Sequence, residues 1–351
     1  MKKLIAVLIL ILLMLPILVS CTTANTTTAS TTAASTTAAS TTAASTTAAS
    51  TTAASTTTAT KKIKVGITIS SRDQFLTSYE SCLIEAANKQ GNTEVVSFDA
   101  QNDVQKQYEH LATFVTQKFD VIVIIAVSTD TVPEMLKMVG NIPVVVAFRF
   151  PEGSKIEEIL RPGDAYVGSQ NIVAGQMQAD YLIKYFNDKK QNEINYVMLD
   201  GDLGAEVSVE RTKGVLEALK AAGFTLNKVL EDTAGWDRAK AMSIVETLLG
   251  TDKKIDTIIA NNDEMALGAY EALKTAGKFL DIPVLGVDAT APALESIKNG
   301  ELAMTVLLDA ETTANKTIEL AVNMATKKSF DAVNWIPYKP VTKENVSQFI
   351  K

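Results

Sequence analysis

The side chains that could do chemistry in this sequence follow apolar runs that are typical of buried strands. They combine two carboxylates, two guanidiniums, an amide and two aromatic rings: Asp73, Phe75, Arg149, Arg211, Trp236, Asn262 and Asp288. A carboxylate only accepts hydrogen bonds and a guanidinium only donates them, so together they serve both roles of adjacent hydroxyl groups. Aromatic faces pack against the C–H faces of a sugar ring. The set therefore indicates recognition of a small polyhydroxylated ligand.

Taken singly, each of these residues also has a purely structural explanation. Asp73 and Asp288 precede predicted helices, where aspartate is a favoured N-cap. The two aromatic residues stand at helix starts and could pack in a core, and Arg211 fits a solvated helix surface. Arg149 lies between two phenylalanines, where a charge requires a partner. Only the joint placement of the set after strands favours the ligand interpretation.

The elements that must position these residues alternate between strands and helices. The β-branched run 63–69 is followed by helical spacing over 74–90, which stops at Gly91. The same alternation predicts further strands over 94–98, 121–127, 143–148, 165–168, 194–200, 225–230, 256–260 and 282–288, and helices over 103–118, 131–139, 170–188, 206–222, 237–249 and 263–276. Continuous apolar strands separated by helices predict parallel sheets covered on both faces, so the expected fold class is α/β.

The number of strand–helix units predicts two lobes. Four units precede residue 150 and four more follow residue 190, which is too many for one compact sheet. Two similar halves joined near 165–169 fit the length better. Ligands of open parallel sheets bind beyond the carboxyl ends of the strands. Two such halves facing each other would hold one ligand in the cleft between them.

Composition excludes several function classes. The chain has 351 residues and a net charge of −7, and its first 60 residues carry only Lys2 and Lys3 as charges. The remainder holds 31 basic and 40 acidic residues with no basic tract, which argues against nucleic acid as a partner. One histidine, His110, and two cysteines leave no histidine-based triad and no disulfide framework. We therefore expect no enzymatic activity, no cofactor and no bound metal.

The N-terminus has the pattern of an exported, lipid-anchored protein. Two lysines precede an apolar run over 4–19, which matches a secretory signal peptide, although a membrane-spanning helix is the alternative. The run ends in Leu-Val-Ser-Cys (18–21), which resembles a bacterial lipobox. We predict a signal peptide over 1–20 and lipidation of Cys21. The mature protein would then sit on the outer face of the cytoplasmic membrane, or on a membrane facing the periplasm.

A low-complexity tether follows the proposed lipid anchor and completes the segment 21–60. Residues 22–60 contain only Thr, Ala and Ser apart from Asn25, with five TTAAS copies over 31–55. Such a segment cannot form a core. As a flexible chain it would span roughly 35 Å. A glycosylated Thr/Ser-rich stalk is the alternative interpretation.

Several motifs resemble one family. The segments IIANNDEMALGAYEALK (258–274), IPVLGVDA (282–289), FDAQND (98–103) and DTAGWDRAKA (232–241) are similar to segments of the galactose/glucose-binding and ribose-binding proteins of bacterial sugar uptake. The resemblance covers nearly all of 61–351. It implies a type I periplasmic-binding-protein fold, in which two Rossmann-like lobes with parallel sheets are joined by a three-strand hinge. Such proteins close around a monosaccharide and then dock on an ABC permease.

The resemblance also implies lobe boundaries and residue roles. The N-terminal lobe would comprise 61–167 plus 309–336, and the C-terminal lobe 168–308 plus 337–351. By matching motif, the sugar contacts would be Asp73 and Phe75 from the first lobe, and Arg211, Trp236, Asn262 and Asp288 from the second. Arg149 matches the place where ribose-type members use an arginine.

Four departures from the galactose/glucose pattern predict a different ligand. Where those members have Asn, His, Asp and Asn, this chain has Phe148, Ala205, Val207 and Leu308. Sites built to hydrogen-bond a hydroxyl discriminate by roughly 10⁴-fold against ligands that lack it, so replacing that many polar groups should change the ligand. A pentose, a deoxy-sugar or another hydroxylated metabolite is favoured over glucose or galactose. The stretch 187–195 lacks the alternating acidic spacing of a calcium loop, so no calcium is expected.

These observations predict an extracytoplasmic solute-binding protein. It would be a monomer that captures a monosaccharide, or a closely related polyol, by hinge closure and delivers it to an ABC permease. Two alternatives stay open at this point. The closed form could dock on a chemoreceptor or sensor kinase, or the ligand could be a non-sugar hydroxylated metabolite such as a nucleoside.

Overall fold

The computed structural model describes residues 61–150, 155–278 and 282–350. The predicted signal peptide, lipidation site and tether all lie outside the described residues. Within the described ranges, no helix is long and apolar enough to cross a bilayer.

Strands and helices alternate along the described chain, as the hydrophobic pattern predicts. The strands are β1 (Ile63–Ile69), β2 (Thr93–Asp99), β3 (Val121–Ile124), β4 (Val144–Ala147), β5 (Ala165–Gly168), β6 (Glu193–Asp200), β7 (Thr225–Thr233), β8 (Thr257–Ala260), β9 (Val284–Leu285), β10 (Met304–Leu307), β11 (Val333–Trp335) and β12 (Lys339–Thr342). The helices are α1 (Gln74–Gln90), α2 (Val104–Thr116), α3 (Val132–Met138), α4 (Ile156–Ile159), α5 (Asn171–Asp188), α6 (Glu206–Ala221), α7 (Arg238–Leu249), α8 (Asp263–Thr275), α9 (Ala291–Asn299) and α10 (Ala310–Ala325).

The strands form two six-stranded sheets, one in each lobe. The first has the order β11-β5-β4-β3-β1-β2 and is parallel throughout. The second has the order β12-β10-β9-β8-β6-β7, and only β12 runs antiparallel to its neighbour. Every residue of the central strands β3, β4 and β8 is buried, as expected for sheets covered by helices on both faces. The predicted α/β fold with two lobes is confirmed.

The chain passes between the two sheets three times. It crosses between β5 and α5, between β10 and α10, and between β11 and β12. The first and third crossings are joined directly, because the Ser169 hydroxyl donates a hydrogen bond to the main-chain oxygen of Ile336 at 2.6 Å. The first and third crossings therefore lie side by side.

The structure corrects the sequence prediction at two strands. The predicted strand over 282–288 is regular only at Val284–Leu285, although the amides of Gly286 and Asp288 still donate hydrogen bonds to the main-chain oxygens of Met304 and Val306. The predicted strand over 225–230 continues to Thr233 and pairs with β6 across a register shift.

Candidate ligand-binding site

One buried cavity lies where the carboxyl ends of the two sheets face each other. It is lined by Asp73, Phe75, Leu76, Phe148, Arg149, Ser169, Asn171, Val207, Arg211, Trp236, Asn262, Asp288, Leu308 and Tyr338. All seven residues singled out from the sequence are therefore brought together. The cavity volume is about 60 Å³, which is space for about four to six waters at roughly 10–15 Å³ each. That volume suits one small ring.

The topology explains why residues so far apart in sequence meet here. Each predicted polar residue except Arg211 follows a strand: Asp73 comes after β1, Arg149 after β4, Asn262 after β8 and Asp288 after β9. Because parallel strands end at the same edge of a sheet, their following residues gather at the cleft. Arg211 reaches the cavity instead from the second turn of α6, where its side chain is 4 % exposed.

Two cavity residues also act as helix caps, and the capping fixes their side chains. Asp73 is the N-cap of α1, and its Oδ1 accepts a hydrogen bond from the amide of Leu76 at 2.7 Å. Asn262 is the N-cap of α8, and its Oδ1 accepts from the amide of Met265 at 3.0 Å. Each cap uses one polar atom of the side chain. The second carboxylate oxygen of Asp73 and the amide nitrogen of Asn262 stay available to a ligand.

Arg211 is held by groups of the second lobe. Its Nη1 donates to the main-chain oxygen of Asn261 at 2.6 Å and lies 3.8 Å from Oδ1 of Asp288. Its Nη2 donates to the hydroxyl of Tyr338 at 3.3 Å. Among the described residues, nothing accepts a hydrogen bond from its buried Nε. Because a guanidinium has five N–H donors, Nε and the second hydrogen of Nη2 can serve a ligand.

Arg149 faces Arg211 from the first lobe. It is 8 % exposed, and its Nη1 donates to the main-chain oxygen of Ala126 at 3.2 Å. Burial lowers the pKa of Arg149, and the nearby carboxylate of Asp73 opposes this effect. The charge of Arg149, which lies in an apolar stretch, therefore has two partners: the main-chain oxygen of Ala126 and the carboxylate of Asp73.

A second buried carboxylate, that of Asp263, holds the loop that carries Asp288. Asp263 accepts hydrogen bonds from the Thr305 hydroxyl at 2.6 Å and from the amide of Thr290 at 2.8 Å. Burial raises the pKa of Asp263 to about 7, and burial also raises the pKa of Asp288 well above its usual value. Asp288 is not the cap of α9, a position that Thr290 occupies. Its carboxylate is instead directed at Arg211.

The apolar walls are aromatic on both sides of the cavity. Phe75 and Phe148 meet edge to face with ring centroids 5.3 Å apart, and the ring of Tyr79 meets Phe148 from behind at 4.6 Å. On the opposite side, Nε1 of Trp236 donates to Oδ2 of Asp202 at 2.8 Å. That bond leaves the indole faces, and not its polar edge, to define the wall.

Three lining residues hold backbone conformations that non-glycine residues rarely adopt. The φ angles are 61° for Phe148, 64° for Trp236 and 121° for Asp288. Such conformations cost roughly 1–3 kcal/mol each and persist only where the surroundings fix them. Six other described non-glycine residues with positive φ lie outside the cavity lining, so this backbone strain supports the site only together with the polar groups gathered there.

Some lining residues carried no signal in the sequence. Ser169, Asn171 and Tyr338 belong to the crossing segments, which lie about 170 residues apart along the chain and meet only because of the topology. Of the four departures from the galactose/glucose pattern, Phe148, Val207 and Leu308 line the cavity. Ala205 instead lines a neighbouring cavity, together with Asp202 and Glu206.

Ionisable groups of both signs line the cavity, and no metal-binding cluster stands out. Two carboxylates, Asp73 and Asp288, face two guanidiniums, Arg149 and Arg211. Within the ranges that the structure describes, no three His, Cys, Asp or Glu side chains cluster in a way that could hold a metal ion. The expected absence of calcium at 187–195 stays a prediction.

Comparison with known proteins decides the family. The family described as "Periplasmic binding protein domain" matches residues 65–329 of this sequence. The chain belongs to the periplasmic binding protein family. This assignment agrees with the two parallel sheets, the three crossings and the cavity between them.

Relatives of this periplasmic binding protein include sugar-binding and polyol-binding proteins. It is 32% identical over 308 residues to the D-galactose/methyl-galactoside binding periplasmic protein of Haemophilus influenzae, covering 82% of this chain and 92% of the relative. It is 31% identical over 288 residues to the ribose import binding protein of Bacillus subtilis, covering 81% and 88%. An ABC transporter solute binding protein from Bacillus halodurans with bound myo-inositol is 35% identical, with a TM-score of 0.76 and coverage of 82% and 97%.

Proposed function

We propose that this periplasmic binding protein captures one uncharged monosaccharide or cyclic polyol between its lobes. The observation that carries the proposal is a single buried cavity lined from both lobes by two carboxylates and two guanidiniums. Because groups of both signs line the cavity, a charged ligand would lie against like charges as well as opposite ones. A neutral ligand rich in hydroxyl groups satisfies acceptors and donors alike.

The apolar residues narrow the ligand class. Phe148, Val207 and Leu308 cover part of the cavity where galactose/glucose-type members present polar groups. The polar groups that hold the glucose and galactose hydroxyls in those members are replaced here by apolar ones, so we disfavour those two sugars. We propose a pentose, a deoxy-sugar or an inositol. myo-Inositol is the first probe, since it occupies the 35% identical Bacillus halodurans protein.

A thermal-shift panel on the purified full-length protein tests this proposal. It should include myo-inositol, D-ribose, L-fucose, D-glucose, D-galactose and adenosine. A ligand present at about 100 times its Kd adds about 2.7 kcal/mol to the free energy of unfolding and raises Tm. Asp288→Asn should abolish the rise, whereas Asp252→Asn, on the exposed surface, should keep it. A rise with adenosine alone would overturn the ligand class.

We further propose that the two lobes close on the ligand and present it to an ABC permease as a monomer. The division of the strands between the two sheets supports two moving bodies. One would comprise 61–167 and 309–336, and the other 168–308 and 337–351. Small-angle scattering with and without the panel ligand tests closure. A radius of gyration that does not fall on binding would contradict it.

The proposed location is the outer face of a membrane, with Cys21 as the lipid-bearing residue. The charged N-terminus, the apolar run and the Leu-Val-Ser-Cys end of that run support it. Phase partitioning in a cloud-point detergent tests the anchor. Cys21→Ala should move the protein to the aqueous phase, and a variant that stays in the detergent phase would overturn lipidation at this residue.

We propose that the protein releases its ligand unchanged. No nucleophile, base and orienting group are arranged together among the described residues that line the cavity. Incubating the purified protein with the ligand that it binds, followed by mass spectrometry of the small molecule, tests this statement. Any product with a new mass would contradict it.

A further inference from the structure

A chain of hydrogen bonds behind the cavity ends on Arg211. The Tyr338 hydroxyl accepts from Nη2 of Arg211 at 3.3 Å and donates to Oδ1 of Asn171 at 2.8 Å. The amide nitrogen of Asn171 donates in turn to the carboxylate of Glu206, 3.2 Å from one oxygen and 3.3 Å from the other. Tyr338 lies on the third crossing and Asn171 on the first helix after another crossing.

The direction of every bond in this chain is fixed by its two ends. A guanidinium can only donate, so the Tyr338 oxygen must accept from it and is left to give its own proton to Asn171. The oxygen of the Asn171 amide is then the acceptor and its nitrogen the donor, which requires an acceptor at Glu206. A carboxylate supplies that acceptor. No other assignment of the hydroxyl and the amide satisfies all four groups.

We propose that Tyr338, Asn171 and Glu206 form a positioning relay that orients Arg211 for the ligand. This inference rests on the proposed function only for its consequence on binding, because the orientation of Arg211 is a property of the protein alone. None of the three residues needs to contact the ligand. The only proton of the Tyr338 hydroxyl is given to Asn171, so this hydroxyl has none to donate to the ligand, and its effect through Arg211 is what the double-mutant cycle below measures.

Arg211 needs such a relay because, among the described residues, its Nη2 has no hydrogen-bond partner besides Tyr338. The side chain is almost fully buried and its Nε has no acceptor among the described residues. Asn261 and Asp288 hold only the Nη1 side of the fork. Without Tyr338, the Nη2 side could rotate away from the cavity. A planar fork gives directional binding only while it is held in one orientation.

A measurement without ligand tests the relay first. The chain has five arginines, so arginine-labelled full-length protein in detergent should give five resolvable side-chain signals by NMR. The signal absent in Arg211→Met is that of Arg211. We expect slow rotation of its guanidinium in the wild type and fast rotation in Tyr338→Phe. The matched control is Tyr79→Phe, which removes a buried hydroxyl bonded only to Thr317 and should leave the Arg211 signal unchanged.

The glutamate end offers a rescue that a merely structural role would not show. Glu206→Gln retains an oxygen that can accept from Asn171, whereas Glu206→Met does not. We therefore expect slow rotation of Arg211 in Glu206→Gln and fast rotation in Glu206→Met. Asn171→Leu should behave like Tyr338→Phe and replaces it if that variant fails to fold.

A double-mutant cycle measured with myo-inositol tests the consequence for binding. Tyr338→Phe should raise the Kd about tenfold, as expected for loss of a hydrogen bond to a charged group. In the Arg211→Met background the same change should alter the Kd less than about twofold, because Tyr338 acts through Arg211.

Each result separates the two proposals. Additive effects in the cycle, or slow rotation of Arg211 in both Tyr338→Phe and Asn171→Leu, would overturn the relay even if myo-inositol binds. Failure of the wild type to bind myo-inositol would count against the proposed inositol class, while the rotation measurement would still decide the relay.

Discussion

The α5–α6 contact gives a way to move Arg211 without touching the cavity. Gly175 of α5 lies against the backbone of α6, and a Cβ built there would be 2.1 Å from the main-chain oxygen of Arg211 and 2.7 Å from the amide nitrogen of Val215. Both atoms are backbone atoms and cannot rotate aside. Gly175→Ala must therefore push α6 away from α5 at the residue that carries the guanidinium.

These distances give the expected size of two effects, the loss of stability and the loss of ligand affinity. Ordinary C···O contacts lie at about 3.3–3.6 Å, so the helices must separate locally by roughly 1 Å. Overpacking of this kind costs typically 1–3 kcal/mol, and alanine in place of a helical glycine returns roughly 1 kcal/mol. We expect a net loss of about 1 kcal/mol in the free energy of unfolding. Hydrogen bonds of Arg211 near their ideal length do not survive such a shift, so the Kd for the bound polyol should rise about tenfold.

The assay is isothermal titration with myo-inositol, beside thermal unfolding of the same samples. Gly268→Ala is the matched control, because its Cβ would also meet a main-chain oxygen at 2.1 Å, that of Arg238 in α7. No residue of α7 lines the cavity. We expect the Tm to fall by a similar amount in the two variants and the Kd to rise in Gly175→Ala only. Equal Kd values in the two variants would refute the argument that the backbone position of Arg211 sets affinity.

Three further changes test other parts of the structure. Gly201→Ala would place a Cβ 2.0 Å from Cζ2 of Trp236, so the indole must move. We expect the tryptophan emission to shift and the binding of myo-inositol to weaken. Unchanged emission would contradict this packing. Arg161→Met removes the guanidinium that pairs with the buried Asp164, and urea unfolding should show a loss of about 3 kcal/mol with the Kd unchanged. Burial raises the pKa of Glu206 from 4.5 to about 7, so the folded state binds the extra proton in that window and the contribution of Glu206 to stability should fall by at most ~3 kcal/mol as pH rises through it. Asp263 and Asp288 add a slope of the same sign, so Glu206→Gln should lose less stability than the wild type between pH 5 and pH 8 in urea unfolding, and equal losses would show that Glu206 does not contribute.

Much of the fold could be predicted because the relevant signals are local. The alternation of apolar strands with helices at 3.6-residue spacing is readable within each segment, and strand ends locate the cavity because parallel strands finish at one edge. Asp73, Asn262 and Asp288 could therefore be found without coordinates. The shortness of the two-residue strand β9 could not, since the apolar run continues unbroken beyond Leu285.

The relay residues could not be predicted for a different physical reason. Asn171 and Tyr338 are 167 positions apart and their hydrogen bond exists only because two crossings lie side by side. Neither position has a periodic pattern or a charge that would mark it. A buried network of neutral polar groups is specified by three-dimensional proximity. Sequence reasoning reached Arg211, but not the groups that orient it.

The structural and functional explanations of the capping residues are not alternatives. Asp73 and Asn262 each cap a helix with Oδ1, which removes most rotamer freedom from the side chain before any ligand arrives. The other polar atom is then held towards the cavity, where Asp73 offers an acceptor and Asn262 a donor. A ligand need not order these groups on binding, so less of its interaction energy is lost to side-chain entropy. In the proposed site, helix capping would therefore contribute to affinity, and a residue type favoured at helix starts is for that reason also suited to a binding site at strand ends.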